Sequence, residues 1–219
     1  MIPVKTPVWL QKVKPDFIWR VPANRKVLYL TFDDGPTPGV TDKALDLLKV
    51  YQAKATFFCV GNNIRLHNAL FNRILQEGHA AGNHTFYHES GITTSGFRYR
   101  KSYLETAGLM QSALFRPPYG RIKRGQAKSI QKRSYVVMWD VLSKDYDNRI
   151  SARQCAENVI RNAEKGSVVV FHDSKKAAKN MLYSLEQTLR YFSEKGFTFE
   201  QLTADVCKQT LMNKSDERA

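Results

Sequence analysis

The run VLYLTFDDGP, Val27–Pro36, decides how this chain reads. Val27–Phe32 carries no charged residue and puts apolar side chains at both odd and even positions. That pattern belongs to a strand buried on both faces, and such strands occur in parallel sheets covered by helices. Adjacent carboxylates, Asp33 and Asp34, end the run, and Gly35-Pro36 suits a turn. Side chains of neighbouring residues at a strand end point in different directions, so the two carboxylates are free to do different things.

Outward from this run, apolar stretches alternate with helical patterns. Strands are expected at Val27–Phe32, Ala55–Val60, His79–Asn83, Leu114–Arg116, Tyr135–Trp139, Ser167–Phe171 and Phe197–Leu202. Helices are expected at Thr41–Tyr51, Leu66–Gln76, Ile122–Lys132, Ala152–Glu164 and Lys179–Ser193, with Thr41 and Ser151 as N-caps and Gly166 and Gly196 at helix ends. About seven repeats of strand and helix predict an α/β protein of one domain, a closed or nearly closed (β/α) barrel. The barrel is expected over 27–205. Residues 1–26, with Trp9, Phe17 and Trp19, are expected to pack on its outside or bottom, and 206–219 to be a frayed tail.

Composition sets bounds without naming a function. The apolar share of 42% is ordinary globular usage, and no apolar run is long enough to span a membrane. Met1–Lys14 has no continuous apolar h-region, so a cytoplasmic place, or a peripheral one at the cell envelope, is expected. Cys59, Cys155 and Cys207 are scattered and odd in number, and read as reduced thiols. The net charge of +14 is the unusual bulk property. No acidic residue stands between Glu105 and Asp140, where Arg116, Arg121, Lys123, Arg124, Lys128, Lys132 and Arg133 crowd together. Such a field suits a polyanionic partner, or is a solvated basic face. No nucleic-acid motif accompanies it, so no specific nucleic acid is expected.

The chemistry-bearing residues gather at one end of the expected barrel. HTFYH, His84–His88, follows the third strand, and His-x-x-x-His on a helical turn would put both imidazoles on one face, a spacing that holds zinc. Thr85 stands where a zinc hydrolase of that pattern carries a Glu base, so a base must come from elsewhere. One of Asp33 and Asp34 suits a ligand and the other suits the base. Arg116 closes the fourth strand, Asp145 comes after the fifth, and His172 follows the sixth. Barrel enzymes build their sites at this carboxyl-terminal edge.

TFDDGP, GNHTFYH, FRPPYG, WDVLSKDY and VVFHD, in this order, resemble the five motifs of the polysaccharide deacetylases, carbohydrate esterase family four. The resemblance runs from about Val27 to Leu202. It implies a distorted (β/α) barrel that removes N-acetyl groups from amino sugars with one divalent metal, zinc first, then cobalt or nickel. It further implies Asp34, His84 and His88 as metal ligands and Asp33 as general base. Arg116 corresponds to the arginine that orients the base, and Tyr119 to the residue whose backbone amide helps hold the oxyanion. His172 corresponds to the general acid and Asp145 to the carboxylate that tunes it. The implied partner is an N-acetylated carbohydrate of peptidoglycan type, on an anionic envelope polymer.

The chain departs from the family pattern at Leu142, Tyr146 and Val170, where an Asp, a Trp and a Leu are usual. Those changes alter pocket shape and leave the catalytic inventory intact. Trp139, Tyr146, Tyr87 and Phe171 are candidates for a sugar-binding rim. Two other functions fit the same residues: hydrolysis of a non-sugar amide or cyclic imide, and polyanion binding without turnover.

Overall fold

The computed structural model describes residues 3–216. Its centre is β1, Val27–Asp33, buried along its whole length. On one side lie β2 (Ala55–Cys59), β3 (Ala80–Asn83), β4 (Leu114–Phe115) and β5 (Tyr135–Val136). On the other lie β7 (Val168–His172) and β6 (Val141–Leu142). These seven strands run parallel in the order β5-β4-β3-β2-β1-β7-β6 and curl into a half-barrel; the short β8, Thr198–Phe199, pairs with the start of β1. The expected barrel of parallel strands is therefore present in an opened form.

The two-residue period of β1 sorts its side chains. Leu28, Leu30 and Phe32 face outward into the main core beneath the helices, where Phe32 stacks between Phe57 and Phe171 at 4.7 and 5.7 Å between centroids. Burying each such ring contributes about 1.5–3 kcal/mol. Thr31 and Asp33 face the barrel interior, where both meet Arg116. The same alternation that builds the core thus delivers the carboxylate of Asp33 inward.

Helices cover the outer face: α2 (Thr41–Val50), α3 (Gly61–Leu66), α4 (Asn68–Gln76), α5 (Gly96–Ala107), α6 (Arg124–Ile130), α7 (Ala152–Ile160) and α8 (Ala178–Glu194). Ser151 caps α7 as expected, accepting from Gln154 N at 3.1 Å. Gly196, at φ +73°, ends α8 with Phe197 N donating to Phe192 O and Gly196 N to Ser193 O, a left-handed cap that glycine favours. Thr41 does not cap α2; its hydroxyl accepts from Thr37 N and donates to Asp173 instead. Gly166 lies well past the end of α7, and its own backbone abuts Val21: a Cβ there would sit 1.8 Å from Val21 O.

Four further expectations are corrected. The helix read over Leu66–Gln76 is two, α3 and α4, separated by His67 at φ −128°, ψ 46°. The strand read over Tyr135–Trp139 is also split. Val137 N still bonds Phe115 O beside β4, but Asp140 N already bonds Val168 O beside β7, so one run crosses between the two sheet edges. Trp9 belongs to the short α1, Val8–Val13, and is 66% exposed, whereas Phe17 and Trp19 are buried as expected. Between those two, Ile18 bridges Val137, and Arg20 bridges Ser167, so the N-terminal segment seals the open seam. The segment read as a frayed tail is helical in α9, Ala204–Asp216, because Cys207 and Thr210 bury one face of it; residues 217–219 lie outside the described residues.

Candidate active site

The loops after β1, β3, β4, β6 and β7 enclose a cleft of about 400 Å³ at the carboxyl-terminal edge of the sheet. Asp33, Asp34, His84, His88, Tyr119 and His172 all line it. Six non-glycine residues have positive φ among the described residues, and five of them (Asp34, Thr85, His88, Tyr119 and Lys144) belong to these loops. That conformation costs roughly 1–3 kcal/mol per residue and persists only where neighbours enforce it.

The neighbours are visible. Asn63 Nδ2 donates to Asp34 O at 2.8 Å, Val60 N to Gly35 O at 2.9 Å, and Gly35 N to Asp173 Oδ1 at 3.0 Å. Asn83 Oδ1 accepts from Thr85 N at 2.9 Å, and Ser102 Oγ accepts from Phe86 N at 2.7 Å. The His84–His88 segment is consequently a fixed loop and not the helical turn its spacing suggests, since Thr85 and His88 sit at φ +62° and +58°. The two imidazoles converge all the same, 5.0 Å apart between centroids.

Asp34, His84 and His88 form a three-residue cluster whose donor atoms lie within 4.8 Å of one another. Asp34 Oδ1 is 3.1 Å from His88 Nε2 and 3.9 Å from His84 Nε2. These separations bracket the roughly 3.4 Å edge of a tetrahedron built on bonds of about 2.1 Å. Asp34 Oδ1 is buried without a hydrogen-bond donor aligned on it. His84 Nδ1 meets Arg116 O at 2.7 Å, which commits the Nδ1 proton there and turns the Nε2 lone pair to the cluster. Burial pushes His84 down to about 4, so the ring is neutral. Burial opposes the charge of Asp34, yet His88, His172 and His84 outweigh it and hold the carboxyl well below its usual range. Two converging imidazoles and an ionised, unsatisfied carboxylate fit a divalent metal.

On either side stand two charged pairs. Asp33, in register with His172 across β1 and β7, receives Arg116 Nη1 at 2.7 Å. The fully buried Arg116 also donates to Thr31 Oγ1, Val137 O and Met138 O, with its guanidinium 4.1 Å from the Phe58 ring. His172 Nδ1 meets Asp145 Oδ1 at 2.7 Å, and Asp145 Oδ2 accepts from His172 N at 2.8 Å. Burial works against the imidazolium of His172, but the contact with Asp145 overcomes it and raises the group to about 9.

All eight residues singled out from the sequence therefore meet in one place. Tyr119 contributes a turn at φ +60°, with its ring 4.6 Å from that of His88. Trp139, Leu142, Tyr146 and Val170 line the cleft as well, the last three at the positions that depart from the usual pattern. Tyr87 is exposed on a different groove, and Phe171 is core, so neither belongs to the rim. Sequence reasoning assigned no role to Thr31, which meets Arg116 from within β1, or to Asn63 and Asp173, which hold the loop after β1. Thr31 and Asp173 had a signal, standing in TFDDGP and VVFHD; Asn63 had none.

Residues 20–138 match the family model for polysaccharide deacetylase. A peptidoglycan-N-acetylglucosamine deacetylase of Bacillus cereus is 31% identical over 189 residues, 83% of this chain and 88% of that one. The chain belongs to the polysaccharide deacetylase family. Among solved members, a peptidoglycan N-acetylglucosamine deacetylase in complex with an N-oxidanyl-benzamide superposes with a TM-score of 0.82 at 31% identity, covering 88% of this chain and 94% of that chain. A CE4 family pseudoenzyme from Bacillus anthracis shares the fold, with a TM-score of 0.74 at 22% identity over 89% of this chain and 68% of its own. This chain has both carboxylates and both flanking pairs at its cleft.

Proposed function

We propose that the protein is a metal-dependent deacetylase that hydrolyses the N-acetyl group of an amino sugar in a peptidoglycan-type glycan, releasing acetate and a free amine. One observation carries the reading. A base-like pair, Asp33 with Arg116, and an acid-like pair, His172 with Asp145, flank the Asp34–His84–His88 cluster across one parallel ladder. The substrate class rests on the relatives, which act on peptidoglycan.

A divalent metal held by Asp34, His84 and His88, zinc first and cobalt or nickel next, supplies Lewis acidity toward water and the acetyl carbonyl. Asp33 has Oδ1 committed to Arg116, leaving Oδ2 to take a proton from the attacking water. The Tyr119 amide, presented on its turn, donates to the oxygen that gains charge as the carbonyl is attacked. His172 has Nδ1 committed to Asp145, leaving the Nε2 proton for the departing nitrogen. An amide needs that proton because its amine is a poor leaving group. Leu142 and Val170 give the cleft an apolar wall suited to the acetyl methyl.

Acetate release decides the reading. Protein loaded with zinc, cobalt or nickel should deacetylate chito-oligomers or peptidoglycan, and metal removal should abolish it. Turnover of small amides or cyclic imides with none on amino sugars would replace this reading by another hydrolase on the same site.

A further inference from the structure

Two cations of the cleft have no part in the mechanism. Arg121 follows the turn after β4, and Lys176 stands in the loop after β7, so they reach the cleft from different loops. Both are exposed, and neither side chain has a hydrogen bond or ion pair among the described residues. Some cations elsewhere find acids: Arg25 pairs with Glu200, Arg73 with Asp46 and Glu77, Arg149 with Asp147. At the cleft lips none is within reach in sequence, because no acidic residue stands between Glu105 and Asp140 or between Asp173 and Glu186. The acids inside the cleft are already engaged, Asp33 by Arg116 and Asp34 in the ligand cluster.

The two side chains spring from fixed backbone. Arg121 N donates to Pro118 O and Arg121 O accepts from Gly91 N, each at 3.1 Å. A Cβ on Gly91 would come within 2.6 Å of Arg121 O, so the contact depends on glycine. Lys176 is anchored by the fully buried Ala177, whose N–H donates to Ser174 O at 3.1 Å. A forked guanidinium and an ammonium on fixed stems leave the cleft lip with positive charge that no protein group answers.

We propose that Arg121 and Lys176 determine specificity by binding a carboxylate carried on the N-acetylated ring or on the sugar beside it. The preferred substrate is then an acidic amino-sugar polymer and not a neutral one of chitin type. This rests on the deacetylase reading and sharpens its substrate. It also gives the basic segment a task at the cleft, where charge on the partner is read at close range and not only steered from afar.

The test compares two oligosaccharides of equal length, one with a free carboxylate and one with that group converted to a neutral carboxamide. Both kcat/KM by acetate release and Kd by calorimetry are read. Wild type should favour the acid about tenfold, mainly through KM, and less at raised salt, as two partly exposed ion pairs would give. The double variant Arg121→Gln with Lys176→Gln should bring the preference within about twofold, while Arg121→Lys with Lys176→Arg keeps most of it. Equal use of acid and amide by wild type, or a preference that survives the double Gln variant, overturns the proposal. If no amino sugar releases acetate, the deacetylase reading falls. Calorimetry then still decides the carboxylate site: it stands if the acid binds more tightly and the double Gln variant abolishes the difference, and falls if acid and amide bind alike.

Discussion

Arg116 Nη1 donates to Asp33 Oδ1 at 2.7 Å, and the arginine that does so is wholly buried in the barrel interior. Burial pulls its pKa down and Asp33 pulls it back. Three further acceptors share the guanidinium. Replacing it by Ala strands a buried carboxylate, a loss of about 3–5 kcal/mol. Urea unfolding of Arg116→Ala should show it as a lowered midpoint, and Arg116→Lys, which keeps charge but not the fork, should fall between. An unchanged midpoint in Arg116→Ala would reduce the pair to a catalytic device with no part in stability.

The adjacent aspartates should separate metal from turnover. Asp33→Asn is expected to retain near-stoichiometric zinc and lose roughly two to four orders of magnitude in rate, the range for a lost general base. Asp34→Asn and His84→Ala should lose the metal as well. Metal analysis after desalting reads the difference, and equal metal loss at Asp33 and Asp34 would overturn the division of roles.

His172 predicts a pH limb. Its folded pKa is raised to about 9 by Asp145 against the opposing effect of burial, so the proton it donates is present up to that pH. The linked stability is complete below the unfolded value of about 6.5 and is lost as pH rises through about 9. Asp145→Asn removes the supporting charge, and the alkaline limb of kcat should move down by about 1–3 pH units. A limb that stays in place assigns the titration to another group.

Gly35 and Thr41 test how the β1 loop is held. A Cβ at Gly35 would lie 1.9 Å from Asp173 Oδ2, so Gly35→Ala must displace a buried carboxylate that accepts from both Gly35 N and Thr41 Oγ1. Thr41→Val removes the donor to Asp173 and the acceptor of Thr37 N without changing shape, at about 1–3 kcal/mol for each group left unpaired. Both variants should lower Tm, and Gly35→Ala should in addition weaken metal retention, since Asp34 precedes it. Normal metal content in a destabilised Gly35→Ala would show the loop to be structural only.

The sequence carried much of this in advance, and unevenly. The doubly apolar strands β1, β2 and β7 were legible because burial on both faces leaves no polar alternation, and the strand-end residues followed from them. Short strands were less legible: β4, β5 and β6 contribute only two residues each, too few for any period. Helix α5 was invisible in GFRYRKSYLETA because its polar and charged residues leave only a weak apolar stripe around Tyr99 and Tyr103. The loop at His84–His88 could not be foreseen, since beside the local bond from Thr85 N to Asn83 Oδ1 it is held by distant partners, Gly61 N donating to Thr85 O and Ser102 Oγ accepting from Phe86 N.

The register of β1 on β7 makes Asp33 and His172 direct partners, so their backbones are one inter-strand step apart, about 4.8 Å. The spacing between the two side chains proposed to take and to give a proton therefore starts from a hydrogen-bonded ladder, with Arg116 and Asp145 fixing their orientation. Arg121, Tyr146 and Lys176 lie on the surrounding loops. Substituting those three positions, with Asp145 and the ligand residues of the same loops kept, thus offers a route to new glycans that leaves the Asp33–His172 ladder untouched.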